Sequence, residues 1–261
     1  MTVTRLGSLR QTLFPWIVPV AAVTVWFAVT VTGHVPQRIL PSPITVANSA
    51  IALTRSGELP RDLAVSAARA FSGLLIGGGL GFTLGFITGL STTAHLVFDS
   101  SIQMFRTVPN LALLPLVIVW FGIGEEARIF MISAAVFFPL YLNTHHGIRS
   151  VDKGLVEMGS VYGLNRGGIF TQIILPAALP SILNGLRLAL GTMWVTLIVA
   201  ETLAAEAGIG TMTAQAREFM RTDIVLVGTI VYALLGKLAD AIARLLERKL
   251  LPWNPAYSSR G

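Results

Sequence analysis

Apolar runs of about 20 residues recur along the chain, and no other sequence feature limits its fold as strongly. A helix of about that length is what the hydrocarbon core of a bilayer requires. The sequence therefore predicts an all-α, polytopic membrane protein with six transmembrane helices, which we expect at about 13–32, 63–90, 102–121, 128–144, 186–205 and 224–243.

The composition favours a membrane protein over a soluble one. Charged residues make up 12% of the 261 residues and apolar residues 53%, whereas a soluble domain is about 25% charged. We expect a single transmembrane domain over 1–261. The absence of cysteine excludes a disulfide framework and a cysteine-ligated metal. The net charge of +6 does not indicate nucleic-acid binding, because the basic residues lie mainly at the edges of apolar runs, where they set topology.

The first apolar run is compatible with a signal peptide or with a retained transmembrane helix. Arg5 and Arg10 precede this run, as either reading requires. The run is long for the apolar part of a signal peptide, and no clear small-x-small cleavage site follows it. We therefore expect a retained first span.

Glycine recurs at every fourth position of the second predicted span. On a helix this spacing makes a groove along one face, so that another helix can approach closely. A phosphate-binding loop is the alternative, but the stretch GGGLGF lacks the Lys-Ser/Thr of a P-loop. No other stretch completes such a motif, so any nucleotide that drives this protein must bind another chain. The glycines expected to serve helix packing are Gly73, Gly77, Gly81, Gly85 and Gly89.

The distribution of Lys and Arg predicts the orientation, since cytoplasmic connections collect basic residues. With six spans and a cytoplasmic N-terminus, more basic residues lie inside than outside. Both termini and the polar segment 145–180 are then cytoplasmic. The inner basic residues are Arg5, Arg10, Arg149, Lys153, Arg166, Arg244, Arg248, Lys249 and Arg260, and the outer ones are Arg38, Arg55, Arg61, Arg217 and Arg221.

The segment 145–180 carries a spaced sequence pattern. Three residues separate Glu157-Met158-Gly159 from Gly163, and nine separate Gly163 from Ile173-Ile174-Leu175-Pro176. This pattern resembles the EAA loop of ATP-binding-cassette (ABC) importer permeases, with Met158 and Gly159 in place of two alanines. The stretches RTVPNLALLPLVIVWFGIGE, FFPLYLNT and WNPAY are similar to the sulfonate, taurine and nitrate branch of that family, and most of all to its aliphatic-sulfonate importers.

The resemblance implies a type I ABC importer permease fold in a bacterial inner membrane. It also implies a homodimer with the translocation path between its copies, two copies of an ABC ATPase subunit, and an extracytoplasmic substrate-binding protein that docks on the outer connection Gly208–Asp223. ATP and Mg²⁺ would be used by the ATPase, and this chain would bind no cofactor. The implied substrates are aliphatic sulfonates, with taurine, nitrate or another small solute as alternatives within the family.

The residues themselves predict how the loop is built. A short helix from about Asp152 to Tyr162 should stop at Gly163, where a left-handed C-cap is easiest, and Asn165 should cap the next helix. In the family, this helix sits in a cleft of the ATPase subunit. The expected ATPase-coupling residues are Glu157, Met158, Gly159, Tyr162, Gly163, Ile173, Leu175 and Pro176, with Lys153 as a further contact.

Ionisable residues within predicted spans are functional candidates, since inserting them costs about 2.5–3.5 kcal/mol. Arg187 and Asp240 lie near a membrane boundary, where snorkelling or an ion pair accounts for them. An anionic substrate favours a path rich in cations and donors, whereas a carboxylate such as Glu201 repels it, so we expect a structural or gating ion pair there. The translocation-pathway candidates are Gln103, Arg106, Asn110, Trp194 and Glu201.

Two other classes of protein remain as alternatives. An enzyme is disfavoured because no nucleophile motif is present, and because His145 and His146 are adjacent rather than spaced i, i+4, so they cannot bind one metal from one helix face. We expect no metal site and no catalytic residue. A secondary transporter or channel would need no ATPase, but the chain shows no convincing internal repeat of the kind common in such carriers.

Overall fold

The computed structural model describes residues 3–33, 35–202 and 206–254, which form helices and no β-strand. Helix α3 contains a π-helical turn at Leu74–Gly78, and α8 contains one at Phe170–Ile174. The helices are α1 Val3–Val31, α2 Pro43–Arg55, α3 Glu58–Leu90, α4 Thr92–Arg106, α5 Asn110–Phe121, α6 Glu125–Arg149, α7 Lys153–Val161, α8 Arg166–Thr202, α9 Ile209–Glu218 and α10 Thr222–Leu250.

Four helices are long and apolar enough to cross a membrane: α3, α6, α8 and α10. The pair α4 and α5 meets the same criterion jointly but is bent by 83°. The described apolar part of α1, Ile17–Val31, is shorter than a span. The predicted all-α membrane protein is therefore confirmed, with four or five spans in the described residues rather than the six expected.

The predicted third span, 102–121, is not one helix. Helix α4 ends at Arg106, and α5 starts at Asn110 after Pro109, which has extended backbone angles. Proline has no N–H to donate to the carbonyl four residues earlier, and it disfavours helical geometry at the residue before it. The break at Pro109 was therefore readable from the sequence, although the apolar run around it suggested continuity.

The predicted cytoplasmic segment 145–180 is divided among three helices. Helix α6 continues to Arg149, and α8 starts at Arg166 and runs without interruption to Thr202, although the fifth span was predicted to begin near residue 186. The helix accommodates Pro176 through the preceding π turn, in which the Leu175 N–H bonds to the carbonyl of Phe170. Such a turn compensates for the donor that proline lacks.

The chain packs as two compact units. The first comprises the residues up to Arg61 together with Met212–Ile230. In this unit the Trp26 indole N–H donates to the Pro41 carbonyl at 3.0 Å, and the Ser49 hydroxyl donates to Asp223 at 2.6 Å. Helix α10 begins here with Thr222, whose hydroxyl donates to the Arg38 carbonyl at 2.9 Å.

The second unit comprises Asp62–Thr211 and the residues from Val231 onward. Helix α6 is its centre, with α3 packed along one side and α8 along another. Buried Met131, Val136, Tyr141 and other side chains of α6 fill these contacts. Every feature of the candidate site described below touches α6 or one of these two neighbours.

The glycine stripe of α3 lies against α6. A methyl group added at Gly77 or Gly81 would overlap the backbone of Ser133 or Phe137, and one added at Gly85 would come within 2.6 Å of the Tyr141 carbonyl oxygen. The stripe therefore brings the two backbones into direct contact. Such close packing holds helices together in a bilayer, where the hydrophobic effect does not favour their association. Gly79, off this face, has open space around it.

We predict that Gly81→Ala destabilises the folded chain by about 1–3 kcal/mol, because the added methyl group forces α3 away from the α6 backbone. The measurement is the unfolding midpoint of the purified protein in detergent. Gly79→Ala is the matched control, since it adds the same methyl group to the same helix in open space. Equal midpoints for the two variants would contradict the close contact.

Candidate functional site

A cavity of about 810 Å³ opens at the break between α4 and α5. Its wall is largely apolar, with side chains from α4, α5, α6 and α8. Polar groups interrupt this wall at two places, the break itself and one face of α8. They are Arg106, Thr107, Asn110, Thr192 and Thr196.

The cavity includes some predicted pathway residues and not others. Arg106 and Asn110 line it, and the Asn110 side chain also donates to the Met131 carbonyl at 3.2 Å. Gln103 lies on α4 and Trp194 is buried on α8, both outside the lining. Thr192 and Thr196 were missed, although their i, i+4 spacing on a helix places them on one face.

Glu201 is fully buried and is the centre of an ion-pair network. Arg69 of α3 donates to it from Nη1 at 2.8 Å, and the same guanidinium donates from Nε and Nη2 to Glu125 at 2.7 and 2.5 Å. A guanidinium suits this role because its planar fork engages one carboxylate at two points and still has a nitrogen left for another. The network therefore fastens α3, α6 and α8 together.

The Glu201 carboxylate also organises the start of α9. It accepts from the backbone N–H of Gly210 at 2.9 Å and from the Tyr232 hydroxyl at 3.1 Å. The Ser66 hydroxyl lies 2.7 Å from one of its oxygens and accepts from the N–H of Ile209. A carboxylate is stabilising at a helix N-terminus, where backbone N–H groups have no partner in the helix.

The geometry of Glu201 fits the ion pair expected there, since it faces Arg69 and the start of α9 instead of the cavity. Its partner was not predicted, because 132 residues separate the two in sequence. Gly208 completes the arrangement. Its φ of +125° suits glycine, and an added methyl group would come 2.5 Å from the Glu201 carboxylate.

Arg187 and Asp240 form the expected ion pair. Their side chains meet at 2.7 Å, and Arg244 also pairs with Asp240, at 2.6 Å. Both Arg187 and Asp240 are partly exposed, unlike Glu201. These residues therefore form a partly solvated pair that links α8 to α10.

The connection between α6 and α8 contains the residues matched to the EAA loop. Asp152 caps α7, and the helix ends at Gly163, whose φ is +82°. The N–H groups of Gly163 and Leu164 return to the carbonyls of Ser160 and Gly159, which is the Schellman arrangement. The predicted C-cap is confirmed, and so is the N-cap, since Asn165 accepts from the N–H of Gly168 at 2.8 Å.

Helix α7 has a packed face and an open face. Gly159 is buried against Ile173, and a methyl group at Gly159 would come 2.5 Å from the Ile173 side chain. The spacing of the pattern thus brings a small residue against an isoleucine. The open face is mostly apolar. Val161 is 86% and Tyr162 81% exposed, and Leu155 and Met158 are also exposed, together with the acidic Glu157.

We predict that Glu201→Ala lowers the free energy of unfolding by about 3–5 kcal/mol, because it removes one of the two carboxylates that pair with the buried Arg69 guanidinium. Chemical unfolding in detergent measures the change. The control is Arg221→Ala, whose side chain is 58% exposed in its pair with Asp223, and whose loss should cost less than about 1 kcal/mol. Equal losses for the two variants would show that the network does not stabilise the fold.

Comparisons with known proteins agree with this architecture. Residues 81–252 match the family model for the binding-protein-dependent transport system inner membrane component. The chain is 55% identical to a candidate aliphatic sulfonates transport permease, SsuC, of Escherichia coli, over 93% of this chain and 92% of that protein. It is 43% identical to the corresponding candidate of Bacillus subtilis, over 97% and 90%. The taurine transport permease TauC of Escherichia coli is 36% identical, over 88% and 86%.

Solved structures show the same fold. A crystal structure of an amino acid ABC transporter aligns with a TM-score of 0.58 at 18% identity, over 72% of this chain and 92% of that one. An inward-facing methionine ABC transporter, MetNI, aligns with a TM-score of 0.50 at 22% identity, over 74% and 95%. The predicted resemblance is thereby confirmed. The chain belongs to the binding-protein-dependent transport system inner membrane components, the permeases of ABC importers, and is a transport component rather than an enzyme.

Proposed function

We propose that this chain is the permease subunit of an ATP-driven importer of aliphatic sulfonates. Two copies form the translocation path, two ATPase subunits bind beneath them, and an extracytoplasmic binding protein delivers the substrate to the Gly208–Asp223 side. Both termini and α7 are cytoplasmic. The ATPase subunits use ATP and Mg²⁺, and this chain binds neither of them. ABC importers in general have an ATPase and a binding protein as partners, and the copy numbers and orientation are our proposal.

The open face of α7 is the observation that carries the coupling role. Large apolar side chains at Leu155, Met158 and Val161 are exposed on a helix of nine residues, and its C-cap residue Tyr162 is exposed too. Exposed apolar patches of this kind, with charged residues nearby, are typical of protein interfaces. The Schellman turn and the contact of Gly159 with Ile173 hold the helix in place, so a partner meets a pre-organised surface.

The cavity supports an amphiphilic anion as substrate. An alkanesulfonate has one anionic group and an apolar tail. The cavity combines a mostly apolar wall with Arg106 and four hydroxyl or amide side chains, those of Thr107, Asn110, Thr192 and Thr196. The first turn of α5 also starts here with no side-chain cap. Backbone N–H groups at the start of a helix favour an anion. Nitrate, which has no apolar part, would leave this wall unused.

We predict that Val161→Asp abolishes co-purification of the ATPase subunit and substrate uptake, because it places a charge in the apolar contact. Val161 makes few contacts within its own chain, so the permease should reach normal levels in the membrane. Val161→Ile keeps the surface apolar and is the matched control. Retention of the ATPase by Val161→Asp would refute the proposed contact.

We predict that Arg106→Ala lowers alkanesulfonate uptake by about tenfold to a hundredfold, since a charge-assisted hydrogen bond contributes about 1.5–3 kcal/mol. Arg106→Lys, which keeps the positive charge, should retain most uptake. Uptake is measured in proteoliposomes that contain the ATPase and the binding protein, with taurine and nitrate as competitors. Unchanged uptake in Arg106→Ala would remove this residue from the path, and uptake without ATP would favour a secondary transporter.

A further inference from the structure

Two histidines and an aspartate meet where α3, α4 and α6 come together. One ligand atom from each of His95, Asp99 and His145 lies within 4.8 Å of the other two. His95 and Asp99 are four residues apart on α4, so they share a helix face, and His145 reaches them from α6. The His95 and His145 rings stack with centroids 4.8 Å apart.

The cluster has an unused buried ligand atom. The Nδ1 of His95 is buried and has no hydrogen-bond partner in the described part of the chain, and it lies 3.8 Å from the Asp99 carboxylate. A buried polar atom without a partner is costly and needs an explanation. A cation between the imidazole and the carboxylate would supply the missing partner.

The surrounding groups already hold two of the ligands in place. The Thr88 hydroxyl lies 2.9 Å from His145 Nδ1, which fixes the ring and leaves Nε2 as its second nitrogen. The Tyr141 hydroxyl donates to the Asp99 carboxylate at 3.2 Å. Thr88, Tyr141 and His145 are almost fully buried. Hydrogen bonds to metal ligands from such outer groups orient them and tune metal affinity.

We propose that His95, Asp99 and His145 form a binding site for a transition-metal dication of the Zn²⁺ class. Two imidazoles and one carboxylate suit such ions better than Mg²⁺ or Ca²⁺, which prefer oxygen ligands. Ligand atoms around tetrahedral zinc lie about 3.3 Å apart, given metal–ligand distances near 2.0–2.1 Å. The widest separation, 4.8 Å, therefore needs to shorten by about 1.5 Å. The partial exposure of His95 and Asp99 leaves them free to move and leaves the ion a route of entry.

A metal at this position would cross-link two helices. His95 and Asp99 belong to α4, which leads to the break beside the cavity, and His145 lies four residues before the end of α6 at Arg149. Binding would therefore stabilise the folded chain by an amount that grows with metal concentration. This site was missed in the sequence because only the adjacent pair His145 and His146 was considered, and His95 lies fifty residues earlier.

The test is metal binding to the purified full-length permease, carrying no polyhistidine tag and no nucleotide. Zn²⁺ titration by calorimetry should show one site per permease chain, and Co²⁺ should give the absorption bands of a site with nitrogen ligands. His95→Gln and Asp99→Asn should each weaken binding at least tenfold. Tyr141→Phe, which removes only a hydroxyl, should weaken it by about tenfold to a hundredfold.

His146→Gln is the matched control, because His146 is exposed beside the cluster and is not a proposed ligand. This variant should bind Zn²⁺ like the parent. Zn²⁺ should also raise the melting temperature of the parent and of His146→Gln but not of His95→Gln, while Mg²⁺ should raise none of them. Absence of a one-to-one site in the parent, or equal binding by His95→Gln, would overturn the proposal. The measurement requires no transport, so it is independent of the proposed function.

Discussion

The backbone contact between α3 and α6 is the constraint on which the rest of the second unit depends. Five glycines from Gly73 to Gly89 set the distance between these helices, and one polar contact closes each end of the stripe. At one end Arg69 of α3 holds Glu125 of α6, and at the other Thr88 of α3 meets His145 of α6. In lipid, where apolar side chains gain little by leaving their surroundings, close packing together with polar contacts at the ends can align two helices. The register of α6 then fixes its cavity-lining residues.

Local patterns in the sequence predicted local structure well. The four-residue glycine spacing, the left-handed turn at Gly163 and the cap at Asn165 each follow from the chemistry of one residue type within one helix turn. The partners of buried charges were not predictable in the same way. Glu201 was expected to pair, but the choice of Arg69 depends on how α3 and α8 pack, and single-sequence patterns carry no such information. The break at Pro109 was missed for a different reason. The apolar run 102–121 was interpreted as one span from its hydropathy, although Pro109 lies within it.

Helical continuity links the loop 150–165, which contains α7, to the cavity. Helix α6 enters the loop from the cavity wall, and α8 leaves it and carries Thr192 and Thr196 back to the same cavity. Had Pro176 interrupted α8, the loop would be connected to the cavity by a flexible joint. The π turn at Phe170–Ile174 instead keeps α8 continuous. A displacement of α7, which packs on α8 through Gly159 and Ile173, would therefore move a helix that borders the cavity.

The charged residues of the second unit have separate roles. Glu201 is enclosed by Arg69, Ser66, Tyr232 and the Gly210 backbone N–H, so its charge is neutralised within the fold and would not repel an anion in the cavity. Arg106 has no acidic partner among the described ion pairs and is exposed at the end of α4 beside the cavity. A fold that confines its buried carboxylate and leaves one cation at the cavity creates a positive potential there. That potential suits a sulfonate better than a cationic or neutral solute.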